Sequence, residues 1–86
     1  MFLNVIINNY LKNLSIDKAI LISDQFSISF SYSEMAIILP YIKQHWPSIL
    51  EDKKRTYLIE ELSSKTSPST AAKAYSLISK LLIIFS

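Results

Sequence analysis

The stretch Phe26-Ser27-Ile28-Ser29-Phe30-Ser31-Tyr32-Ser33, FSISFSYS, alternates apolar residues and serine over eight positions, the pattern of a half-buried strand. Its neighbours argue otherwise. Ser31 and Glu34 have the S-x-x-E spacing of a capping box, in which each side chain satisfies the other's backbone N–H, so Ser31 to Glu34 belong to the start of a helix. Phe26 falls on the apolar stripe of the preceding segment. Only Ser27 to Phe30 are left extended, with Ile28 and Phe30 turned to the core and serines to water. The stretch predicts a connector between two helices, and the fold class follows as all-α.

Working outward, Leu3, Ile6, Ile7, Tyr10 and Leu14 recur at three- and four-residue spacing and predict a first helix from Phe2 to about Leu11. Ser15 is a candidate N-cap for a second, with Asp17 in its first turn, Ile16, Ala19, Ile20, Ile22 and Phe26 on one stripe, and an end near Gln25. Met35, Ile38, Leu39, Ile42 and Trp46 form the stripe of the third. Pro40 lies inside it and predicts a kink, because proline removes a backbone hydrogen bond and crowds the carbonyl of Ala36, at a cost of about 3 kcal/mol. Pro47 is expected to close that helix.

Ser48 and Glu51 offer a second S-x-x-E box, opening a fourth helix to about Lys65 with Leu58, Ile59 and Leu62 in the core. Glu51 with Arg55 and Glu61 with Lys65 are spaced for ion pairs. Ser67 as N-cap and Pro68 at the first helical position start a fifth helix, whose apolar face is Ala71, Ala74, Tyr75, Ile78, Leu81, Leu82 and Phe85. The expectation is one helical domain over 1–86, a compact bundle of four or five short helices with an extended connector at about 27–30.

Eighty-six residues bury only about 60–65% of the surface that the unfolded chain exposes, enough for one core. Half the residues are hydrophobic, so some apolar side chains must face solvent or a partner. Glycine is absent, and no turn residue takes a positive φ without steric cost. With no cysteine there is no disulfide, thiolate metal site or Cys nucleophile, consistent with a reducing compartment. MFLNVIINNYLKNL lacks the basic start of a secretory signal, and the apolar runs 35–42 and 81–85 are far short of the ~20 residues that span a bilayer. A cytoplasmic location is expected.

Several landmarks recur in order in a known family: Leu14-Ser15-Ile16-Asp17, Gln25 to Ser31, Met35-Ala36-x-Ile38, and Ser67-Pro68-Ser69-Thr70-Ala71-Ala72 before a terminal Leu-rich helix. In these the chain resembles the YqfT-like family of short bacillar proteins of unknown function. The resemblance implies a helical architecture and a bacterial cytoplasmic setting, and no catalytic residue. Where this chain has Ser27, the family pattern prefers a small turn residue, often glycine. Residues 14–42 also resemble, more distantly, the helix, extended link, helix arrangement of SAP-like nucleic-acid-binding modules, but without the basic residues that crowd those modules' second helix.

The formal charge is +2, and residues 1–43 sum to zero. The excess lies in the second half, where Lys53, Lys54, Arg55, Lys73 and Lys80 form a candidate basic patch beside Tyr57, flanked by Glu51, Asp52, Glu60 and Glu61. That bias is small for a dedicated nucleic-acid binder. His45 is the only histidine and cannot by itself make a metal site. No serine spacing selects a triad, since triads are defined by geometry; no enzyme, metal, cofactor or small-molecule substrate is indicated. More informative are apolar residues off the main stripes: Ile37 and Tyr41 on the third helix, Leu77, Ile83 and Ile84 on the fifth. They form a candidate surface for a protein partner or a second copy. The first functional expectation is therefore a non-enzymatic interaction or oligomerisation module, and the second is weak DNA or RNA binding.

Overall fold

The chain's computed structural model describes the backbone of residues 2–85 and the side chains of 5–84. Five helices follow in order: α1 (Phe2–Lys12), α2 (Ile16–Gln25), α3 (Tyr32–Ile49), α4 (Asp52–Lys65) and α5 (Pro68–Phe85). Among the described residues there is no strand. The side chains of Leu3 and Phe85, expected on the stripes of α1 and α5, lie outside those described.

The opening stretch is a C-cap abutting an N-cap. Ser27 N–H donates to Asp24 O and Ile28 N–H to Ser23 O, both at 2.9 Å. With Ser27 at φ 62°, these two bonds make a Schellman motif that satisfies the last carbonyls of α2. Four residues later Ser31 caps α3: its Oγ accepts from Glu34 N–H at 3.1 Å, and Glu34 Oε1 accepts from Ser31 N–H at 2.9 Å. The end of α2 and the start of α3 are thus each satisfied by local bonds rather than by a neighbouring strand. Phe30 is buried from the connector, Ile28 partly so.

Two boundaries differ from the sequence expectation. Helix α3 continues through Pro40 and Pro47 to Ile49. Stopping at Pro47 would leave Ile49 outside the core, where it is buried beside Trp46; burying such a side chain contributes about 2 kcal/mol. Arg55 adds to this by donating from Nε to Ile49 O at 2.7 Å and from Nη2 to Leu50 O at 3.4 Å, capping the end of α3. Consequently Ser48 sits in the last turn of α3, the Ser48–Glu51 box does not form, and Glu51 is an N-cap without a side-chain bond. Glu51 pairs instead with Lys54 at 3.0 Å and Asp52 with Arg55 at 3.1 Å, each three residues apart.

Helix α3 lies against α1, α2 and α4, and α5 packs on α4. Leu11, Leu14, Ala19, Met35, Leu39, Ile42, Leu77 and Leu81, drawn from α1, α2, α3, α5 and the α1–α2 turn, surround one small apolar cavity. The radius of gyration is 11.9 Å, against about 12 Å expected for a folded chain of this length, so the helices share one core. Lys43 ties α3 to the α1–α2 turn by donating from Nζ to Leu14 O at 2.8 Å. Trp46 is fully buried, and its indole N–H has no acceptor among the described residues.

Candidate interaction surface

The five off-stripe residues divide in two. Ile37, Ile83 and Ile84 are exposed at 45%, 72% and 59%. Tyr41 and Leu77, expected beside them, are buried at 8% and 4% and belong to the core. The reason is geometric: α3 is covered on several sides, so a residue opposite one stripe meets another helix. Tyr41 faces α4, where its hydroxyl donates to Leu58 O at 3.3 Å and to the Glu61 carboxylate. Its ring lies 4.4 Å, centroid to centroid, from that of the half-buried His45. Burial first, then the hydrogen bond to Glu61 and its negative charge, raise the Tyr41 hydroxyl above the usual tyrosine range. Glu61 is thereby engaged with α3 rather than with Lys65.

The exposed isoleucines do not form one patch. Thr70 at the start of α5 bonds Glu34 at the start of α3, while Leu77 and Leu81 share a cavity with Leu39 and Ile42. The two helices therefore run in the same direction. Ile37 lies near their amino ends and Ile83 and Ile84 near the carboxyl end of α5, about 15–20 Å further along at 1.5 Å per residue. Tyr32 and Tyr57 are also exposed, as are Val5 and Leu21.

The basic residues are dispersed as well. Arg55 has a side chain only 15% exposed, spent on the end of α3 and on Asp52. Lys54 pairs with Glu51. Lys73 donates to Ser29 O at 2.8 Å and to Glu34 Oε1 at 3.0 Å, with its ammonium 5.1 Å from the centre of the Phe30 ring. Glu34 and Ile49, the α3 positions that hold Lys73 and Arg55, are about 22 Å apart along the helix. Lys80 is exposed, as is Lys53, which lines an open groove with His45, Ser48, Tyr57 and Glu61. The five do not converge.

Sequence reasoning found each half of one polar junction without the link between them. Ser67 caps α5 by accepting from Thr70 N–H at 3.0 Å and donating to Thr70 Oγ1 at 3.0 Å. Thr70 Oγ1 in turn donates to Glu34 Oε2 at 2.5 Å. Glu34 thus serves both its own capping box and the cap of α5, and Lys73 neutralises it. The hydrogen bonds from Ser31 N–H, Thr70 and Lys73, in that order, hold its carboxyl down at about 2. Both caps were legible, Ser31 from its S-x-x-E spacing and Ser67 from Pro68 after it; a contact between residues 34 and 70 leaves no local signal.

Among the described residues no group of three His, Asp or Glu side chains is placed to hold a metal ion, and no helix is long and apolar enough to cross a membrane. A family model described as protein of unknown function (DUF2624) matches residues 1–82. The chain belongs to this family. The match spans all five helices, from α1 to most of α5, so the helical bundle is the architecture of a DUF2624 member over nearly its whole length. No curated protein and no solved structure matches the chain.

Proposed function

We propose that this DUF2624 chain is a single-domain, non-enzymatic interaction module whose contact surface is the carboxyl end of α5. The observation that carries the reading is the exposure of Ile83 and Ile84, adjacent β-branched residues at the end of a helix that buries Leu77, Ile78 and Leu81. Burying both would contribute roughly 3–5 kcal/mol at about 25 cal/mol per Å². A second copy is the first partner to test, because a two-fold contact presents the same patch twice and needs no other complementary surface. From the resemblance to YqfT-like proteins, which implies no function, we take only the proposal of a bacterial cytoplasmic setting.

Nucleic-acid binding has less support. Phosphate contacts need free cations in register, and Arg55, Lys54 and Lys73 are each paired within the chain. The test of the first reading is the solution mass over a concentration series for the wild type and an Ile83→Glu/Ile84→Glu double variant. Leu77 and Tyr41 are unsuitable positions, since charge there would break the core. Self-association that the double variant abolishes, at unchanged helical content, supports the proposal. A monomer at every concentration opposes it.

A further inference from the structure

The two halves of α5 are held by different forces. From Leu77 onward the helix buries Leu77, Ile78 and Leu81, large side chains whose removal from water is strongly favourable. Before Leu77 its buried apolar residues are Ala71 and Ala74, which contribute little area. What fixes that half is polar: Thr70 and Lys73 on Glu34, and Lys73 on Ser29 O. Open grooves flank the junction, one bordered by Ser27, Ser29, Ala72 and Ser76, the other by Ser33, Ile37, Lys65 and Thr66. The connector on the far side carries a non-glycine residue at φ 62°, a conformation that L-residues adopt at a cost.

We propose that the first two turns of α5 and the connector 27–31 form a latch that opens as one local unit, with the Glu34 carboxylate as its catch, while the Leu77–Leu81 half of α5 stays docked. Opening lifts Lys73 from the Phe30 ring and uncovers it. The charged groups facing Glu34 are Lys73 from α5 and Lys65 from α4, which borders the same groove. Only Lys73 moves with the latch, so it is the Lys73–Glu34 pair that favours the closed form.

Native-state hydrogen exchange on the full chain tests this, because locally opening units exchange independently of global unfolding. Glu34→Gln keeps a capping-box acceptor for Ser31 but removes the charge that holds Lys73; Thr70→Val removes the bond to Glu34 and the one its hydroxyl accepts from Ser67, and leaves the Lys73–Glu34 pair in place. In each variant the amides of Ile28, Met35 and Ala71–Ala74 are expected to exchange about tenfold faster, while those of Leu77–Leu82 and Ile38–Ile42 keep wild-type protection. Acceleration by the same factor throughout would mean that the junction contributes only to global stability, and would overturn the proposal. So would acceleration on one side of the junction alone, or none in either variant.

Discussion

Replacing Ser27 with glycine should stabilise the protein, and the expected gain follows from its backbone. Ser27 is the left-handed residue of the Schellman motif that ends α2, at φ 62°. In that region the Cβ of an L-residue crowds the following carbonyl, at a cost of about 1–2 kcal/mol. Its side chain is exposed, so truncation sacrifices no buried contact. Glycine removes the crowding but adds about 0.5–1 kcal/mol of unfolded-chain entropy. At mid-range the two leave a net gain of about 0.75 kcal/mol, or about 3–6 °C in Tm for a domain of this size. Thermal and urea unfolding followed by circular dichroism measure it, with Ser27→Val as the opposing control, because a β-branched residue at positive φ is strongly disfavoured. If Ser27→Gly were no more stable than wild type, or Ser27→Val no less, the Schellman reading of FSISFSYS would fail.

Other expectations concern the polar ties between helices. Because Glu34 has a folded-state value of about 2 against an ordinary 4.5, its contribution is complete above about pH 4.5 and is lost as pH falls through about 2. The full linkage would be about 3 kcal/mol, and solvent screening at this part-exposed site reduces it to about 1–2 kcal/mol; urea midpoints against pH should show that step in wild type and not in Glu34→Gln. Tyr41→Phe should cost about 1–2 kcal/mol by freeing the Glu61 carboxylate and Leu58 O, read from the same midpoints. Leu77→Ala should cost about 2–5 kcal/mol as a core truncation, whereas Ile84→Ala should change monomer stability by less than about 0.5 kcal/mol.

The contrast between Leu77 and Ile84 shows where reading the sequence succeeds. Elements bounded by local chemistry were legible: Ser15, Ser31 and Ser67 each cap the helix that follows, because a cap involves residues three apart. Ser48 misled because its spacing was equally good, and only tertiary burial of Ile49 and the reach of Arg55 carry α3 past it. Tyr41 and Leu77 were assigned outward from one stripe per helix, a rule that fails for helices buried on more than one side. Ile37, Ile83 and Ile84 obeyed it. The basic residues looked like a patch along the chain, yet Arg55 and Lys73 are spent at opposite ends of α3. Charge proximity in sequence does not survive the demand of helix ends for donors and of part-buried carboxylates for cations.

The most direct test of the interaction reading is sedimentation equilibrium of the wild type from micromolar to millimolar concentration, beside the Ile83→Glu/Ile84→Glu variant. The account predicts a wild-type mass that rises above the 9.9 kDa of one chain as concentration increases, and a variant that stays there with its helices intact. A wild type that remains at the mass of one chain throughout, indistinguishable from the variant, would contradict it.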